Sequence, residues 1–175
     1  MFLSKVVCPG DRVIDATMGN GNDTLFLAQL VGPQGKVFSF DVQKQACERT
    51  ARLLSQHGIQ HVDCVQNSHV NMDHTVKDPV KAIVFNLGYL PGSDKSCCTL
   101  CSTTLTALKK SLELLLPGGL LLLAIYPGHA EGLREKEQLL SFAARLPQQQ
   151  YNVFSTEFIN HCHHPPLLLG IEKRS

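Results

Sequence analysis

The feature that most restricts this chain is Arg12-Val-Ile-Asp15 with the glycine-bearing run behind it, Thr17-Met-Gly19-Asn20-Gly21-Asn-Asp23-Thr24. A short apolar strand, two glycines and an amphipathic stretch to Leu30, capped by Asn22 or Asp23, read as strand, tight turn and helix. Gly32-Pro-Gln-Gly35 turns the chain, and Lys36-Val-Phe-Ser-Phe-Asp41 reads as a second strand. These pieces make one βαβ unit, which places two parallel strands in a sheet and a helix against its face.

The alternation continues to the end of the chain. The pattern predicts a helix over Gln43 to His57, stopped by Gly58 in a left-handed conformation, and strands over His61 to Gln66 and Lys81 to Phe85. Thr99 to Leu116 is helical in period, Leu120 to Ile125 is a buried strand, and Glu131 to Arg145 is a helix. Tyr151 to Ile159 and Leu167 to Glu172 are strands with no helix between them, so that pair is expected to be antiparallel. The expected fold is therefore α/β, with a mainly parallel seven-stranded sheet, helices on both faces and an antiparallel last pair. Its ligand site belongs at the carboxyl ends of the strands, so the loops there share one rim.

Composition narrows the setting. A length of 175 residues suits a single domain, 1–175, and 43% hydrophobic with 18% charged residues suits a globular one. The longest apolar stretch, Leu112 to Ile125, is broken by Glu113 and Pro117-Gly118-Gly119, so no membrane span is expected. Residues 1–10 lack a secretory apolar core, and seven cysteines at irregular spacings read as reduced thiols, which makes the cytoplasm the expected compartment. A formal charge of +1 neither demands nor excludes nucleic acid.

The glycine run points to a cofactor. Thr24 stands where a dinucleotide fingerprint needs its third glycine, and Asp15 precedes the loop, where a pyrophosphate would be repelled and a cationic amino-acid group attracted. That favours S-adenosylmethionine over a nicotinamide cofactor. Expected contacts are Asp15, Thr17, Gly19, Asn20, Gly21, Asp23 and Thr24, with Asp41 accepting from ribose hydroxyls, Gln43 beside it, Gln66, Asn67, Ser68 and His69 near the adenine edge, and Asn86 across the rim. Simpler accounts exist: the loop as a plain capped turn, and Asp41 as a helix cap.

On the far side of the rim, Asn86-Leu87-Gly88-Tyr89 follows the fourth strand. It keeps the Asn and Tyr of the Asn-Pro-Pro-Tyr motif of amino-methyltransferases and replaces both prolines. An amine attacks through its lone pair, so acceptors must hold its hydrogens without protonating it. The Asn86 side-chain oxygen and Leu87 carbonyl suit that task, with Tyr89 stacking on a base. Tyr126-Pro-Gly-His129 follows the fifth strand and adds an imidazole able to relay a proton. Turn capping by Asn86 and helix entry near His129 are the plainer readings. Cys98-x-x-Cys101 lacks a partner pair, so no metal site is expected.

Taken together these motifs resemble the small family described as rRNA methylases, characterised members of which methylate the 5-aminomethyl group of transfer RNA wobble uridine. The likeness spans nearly the whole chain and rests on Asp15 to Thr24, Phe85 to Gly92 with Asp94-Lys95, Thr103-Thr104, Tyr126 to Gly132, and Pro165-Pro166 before Ile171-Glu-Lys173. It implies a Rossmann-like class I methyltransferase with Asp15, Gly19, Gly21 and Asp41 on the cofactor, and Asn86, Tyr89, Lys95 and His129 on the substrate. Leu87, Gly88 and Tyr126 join the substrate side, and the transfer RNA anticodon region is the implied partner. Family members carry a helical segment ahead of the first strand, whereas about ten residues precede Asp11 here. Part of a lid or RNA surface is therefore expected to be missing, an organelle becomes an alternative compartment, and monomer or homodimer stays open. The rival readings are a methyltransferase acting on rRNA or another nucleobase, a non-catalytic cofactor-binding module and, third, a nicotinamide oxidoreductase.

Overall fold

β1 (Arg12–Asp15) is buried on both faces, because Val13 and Ile14 point to opposite sides of the sheet and both are fully covered. A computed structural model describes residues 2–87, 101–128, 130–162 and 165–175. It adds β2 (Lys36–Asp41), β3 (Val62–Gln66), β4 (Val80–Asn86), β5 (Leu115–Ile125), β6 (Tyr151–Glu157) and β7 (Leu167–Lys173). All seven strands join one sheet in the order β3-β2-β1-β4-β5-β7-β6. The first five run parallel, and β7 is antiparallel to both β5 and β6, as the alternation predicts. The chain leaves β1 in one direction along the sheet and β4 in the other, so β1 and β4 flank the switch point.

Helices cover both faces. α2 (Asn22–Val31) sets Leu27, Ala28 and Val31 against Val13, Val37 and Ala82, and Leu54 of α3 (Lys44–Gln56) joins the same cluster. On the other face, Ala107, Leu108 and Leu112 of α5 (Cys101–Leu114) and Leu139 and Ala143 of α6 (Ala130–Ala144) pack on Ile14, Phe40, Ile83, Phe85 and Leu123. Each fully buried Leu, Ile or Phe contributes about 1.5–3 kcal/mol, so this two-sided packing carries the fold.

The structure departs from the sequence pattern in four places. Helix α2 is capped by Gly21 in the left-handed region, which puts Asn22 and Asp23 inside its first turn. Strand β5 begins at Leu115 and not Leu120. Val80 pairs with Leu115 and Ala82 with Leu120, so the expected Pro117-Gly-Gly turn is absorbed as an irregularity of one strand. Strand β6 ends at Glu157, two residues before Ile159. Short helices not legible in the pattern are α1 (Leu3–Val6) and the 3₁₀ turn His69–Asn71 running into α4 (Met72–Thr75), each too short to show a period. No helix among the described residues is long and apolar enough to cross a membrane.

Register defines the functional rim. Asn86 pairs with Ala124, Ile125 with Leu167, and Leu167 with Glu157. The segments after β1, β2, β3, β4, β5 and β6 therefore emerge on one side of the sheet.

Candidate active site

The glycine loop is folded back onto its neighbours by backbone bonds. Ala16 N–H donates to Val84 O at 2.8 Å, Met18 N–H to Phe40 O at 2.9 Å, and Gly21 N–H to Met18 O at 2.9 Å. Gly19 (φ 52°) and Gly21 (φ 82°) take left-handed conformations that L side chains resist. A Cβ on Gly21 would also lie 2.6 Å from Thr50 Oγ1, so two separate constraints require glycine there.

Asp15 sits beneath this loop and not in its mouth. Its fully buried carboxylate accepts from Thr24 Oγ1 (2.5 Å), Thr17 N–H (3.1 Å) and Ser39 Oγ (3.4 Å), while Thr24 Oγ1 and Ser39 Oγ lie 2.7 Å apart. Burial raises its pKa to about 6 and the charge of Asp23 adds to the rise, against the pull of these hydrogen bonds. Asp15 and Thr24, both expected at the cofactor, are thus fully buried and bonded to each other. Both brace the loop from below, because a buried carboxylate needs donors and the strand-to-helix turn brings Thr24 over it.

Asp41, half-buried at the end of β2, accepts Gly19 N–H at 3.0 Å through Oδ2 and Gln43 N–H at 2.9 Å through Oδ1. It thereby clamps the glycine loop and also serves the cap position of α3, where Gln43 offers no side-chain bond. Asn20 Oδ1 accepts from Arg49 Nη1. After β3, Asn67 Oδ1 accepts from Ser68 N–H (2.8 Å) and Asn71 Nδ2 (3.0 Å), and Ser68 Oγ accepts from Val70 N–H (3.4 Å). These two side chains order their own turn.

Three residues outside the expected set, Ser39, Thr50 and Arg49, join this half of the site, together with His69. Ser39 and Thr50 are fully buried beside Thr24 and Gly21, Arg49 reaches Asn20, and His69 is buried with Nδ1 3.1 Å from Ala16 O and its ring edge-on to Phe85. Because Ala16 O only accepts, Nδ1 carries the hydrogen in this arrangement. Nε2 has no partner among the described residues, and burial lowers the His69 pKa. Ser39 had a sequence signal, a lone hydroxyl within an apolar strand. Thr50 and Arg49 had none, since they look like ordinary members of a polar helix.

Asn86 closes the gap between the halves. Its backbone N–H donates to Thr17 Oγ1 at 2.6 Å and its side-chain Nδ2 to Asp23 Oδ2 at 3.1 Å, so the end of β4 is fastened to the glycine loop across the switch point. Leu87 continues the pairing through N–H to Ala124 O at 2.9 Å, and its side chain is core. Any substrate role of Leu87 thus falls to its backbone. Tyr126, 41% exposed, stands after β5, and Phe158 (61%) and Ile159 (100%) stand after β6. Phe158 is stacked on His161 with ring centroids 4.8 Å apart. Gly88, Tyr89, Lys95 and His129 lie outside the described residues, as do Cys97 and Cys98. Among the described residues no three His, Cys, Asp or Glu side chains gather as a metal-ligand set.

Comparison with known proteins agrees with this architecture. Residues 37–172 match the model of the family described as "Putative rRNA methylase". A solved structure described as a "putative rRNA-methylase" from Clostridium thermocellum is 45% identical, with a TM-score of 0.96 over 98% of this chain and 93% of that one. A "putative methyltransferase" from Streptococcus mutans, solved in complex with SAH, is 43% identical with a TM-score of 0.90 over the same shares. The chloroplastic tRNA (mnm(5)s(2)U34)-methyltransferase of Arabidopsis thaliana is 39% identical over 98% of this chain, which spans 66% of that relative's length. The family match covers most of the chain, and the chain belongs to the rRNA methylase family, with a Rossmann-like fold.

Proposed function

We propose that this chain transfers the methyl group of S-adenosylmethionine to the nitrogen of an aminomethyl group on transfer RNA wobble uridine. The observation that carries the reading is the bond from Asn86 N–H to Thr17 Oγ1, which holds the candidate substrate-binding end of β4 against the candidate cofactor loop. Methyl transfer is an in-line displacement that depends chiefly on alignment of donor and acceptor, and two sites fastened edge to edge suit it.

The residues fit the cofactor. Glycines in the left-handed region leave the loop backbone bare for close approach, and each Asp41 oxygen, engaged once by a backbone N–H, keeps lone pairs for ribose hydroxyls. Asp15 acts at one remove, its buried carboxylate lending negative potential beneath a cationic ligand. When bound, S-adenosylmethionine supplies a methyl carbon activated by a neighbouring sulfonium. The protein's part is to hold a neutral amine, and Asn86, exposed at the rim, provides an amide oxygen that accepts an amine hydrogen without giving one back. Tyr126 and Phe158, exposed after β5 and β6, offer aromatic rings on the same rim, suited to unstacked bases of single-stranded RNA.

The Arabidopsis relative supports the transfer RNA reading by its name, and the family description favours ribosomal RNA as the second reading. Incubation with labelled S-adenosylmethionine and hypomodified transfer RNA, followed by nucleoside mass spectrometry, decides between them. The expected product is 5-methylaminomethyl-uridine or its 2-thio form. Labelling of ribosomal RNA alone selects the second reading, and cofactor binding without transfer to either RNA defeats both.

A further inference from the structure

We infer that Asp23 is a positioning residue that fixes which end of the Asn86 side-chain amide faces the substrate. The inference rests on the amine-methylation reading above and assigns Asp23 a task different from cofactor contact.

An exposed asparagine can turn its amide by half a rotation and present either an oxygen that accepts or an NH₂ that donates. For an amine nucleophile the two are opposite in effect. The oxygen holds an N–H and leaves the lone pair free, whereas the NH₂ competes for that lone pair. Asp23 removes the ambiguity. Asn86 Nδ2 donates to Asp23 Oδ2 at 3.1 Å, and the flipped amide would set oxygen against a carboxylate oxygen, which has no hydrogen to share. Backbone anchorage of Asn86 to Thr17 leaves the side-chain torsions as the remaining freedom, and the Asp23 bond restrains those.

Geometry also separates Asp23 from an ordinary helix cap. The cap position of α2 is Gly21, and the hydrogen bond given to the Asp23 side chain crosses to Asn86, 63 residues on, and not to the helix's own first turn. Its place in that first turn suits a carboxylate, because the helix N-terminus stabilises negative charge there. A carboxylate bonded to the amide also polarises it, leaving its oxygen a stronger acceptor as positive charge develops on the attacking nitrogen.

The test is a double-mutant cycle read by single-turnover methyl transfer to transfer RNA carrying the unmethylated aminomethyl group, with S-adenosylmethionine affinity measured by calorimetry on each variant. Asp23→Ala is expected to slow transfer on the order of tenfold while leaving cofactor affinity within about twofold. Asp23→Asn, whose side-chain oxygen still accepts from Asn86, is expected to restore most of the rate. In an Asn86→Ala background the Asp23 change is expected to have no further effect, because the two residues act as one unit. Near-normal transfer by Asp23→Ala, or losses that multiply in the double variant, would overturn the assignment. Normal transfer by Asn86→Ala alone would sink the amine-orienting reading itself and the inference with it. Should Asp23→Ala fail to fold, Asp23→Ser, compatible with a helix first turn but too short to reach the amide, takes its place in the cycle.

Discussion

Where β1 and β2 end, the rim is tied down bond by bond; where β5 and β6 end, the described residues leave apolar side chains exposed. On the first side Asp15, Thr17, Thr24, Ser39 and Asp41 spend their polar groups on one another and on the loop backbone. On the second side Tyr126, Phe158 and Ile159 expose apolar surface. The contrast fits a small ligand on one side and a large one on the other. A cofactor of fixed shape rewards a preorganised cradle, and a nucleic acid whose bases must be unstacked rewards open flat faces. Asn86 stands on the boundary and is fastened to the rigid side.

The comparison breaks most directly at Gly21. Alanine there meets both a left-handed backbone and the Thr50 hydroxyl at 2.6 Å, so Gly21→Ala is expected to cost on the order of 2–4 kcal/mol in a urea melt and to weaken cofactor binding with it. Adding Thr50→Ala should recover the packing part and not the backbone part. A Gly21→Ala protein of unchanged midpoint would show that the loop is looser than its bonds imply.

A pH series sharpens the same half. Between about pH 4 and about pH 6 the native protein keeps a proton on Asp15 that the unfolded chain has lost, so this group makes stability fall as pH rises and then level off. The total is on the order of 3 kcal/mol. Asp15→Asn removes that slope, and taking the difference between wild type and variant cancels the opposing contribution of His69, whose lowered pKa costs stability on the acid side. Denaturation midpoints that track in parallel from pH 4 to pH 7 would rule out the buried-charge account.

At the boundary, Asn86→Ala is expected to slow single-turnover transfer about a hundredfold with cofactor affinity nearly intact, since one orienting bond at a charge-developing centre is lost. Parallel loss of cofactor binding would make Asn86 a brace and not a substrate residue. The mildest pair tests the halves against each other. Asp41→Ala should lower S-adenosylmethionine affinity about tenfold and spare RNA binding, and Phe158→Ala should lower RNA affinity by a few-fold and spare the cofactor. Calorimetry and filter binding on both variants read this out, and a crossed result would erase the division of the rim.

Much of the architecture was legible because strand periodicity and glycine placement are local signals. The strand pair after Arg145 reads as antiparallel from the missing helix alone, and it is. Asp15 was legible as a residue of the loop, and its burial was not. Its place before the glycine loop is visible in the chain, whereas its burial depends on Ser39 and Thr24 arriving from elsewhere. The β5 irregularity was missed for a related reason: Pro117-Gly-Gly carries every local mark of a turn, yet pairing on both sides of it with β4 keeps the strand going.

From the sequence by itself came the alternation of strands and helices, the glycine positions and the placement of Asp15 and Asp41 at strand ends, since all of these follow from residue period and backbone freedom. Only the tertiary structure decided which carboxylates face inward. Asp15 is sealed beneath the loop, Asp41 clamps Gly19 from 22 residues away, and Asp23 reaches Asn86 from 63 residues away. A carboxylate's role is set by the donors around it and by its exposure to water, and those donors are brought from distant parts of the chain when the sheet assembles.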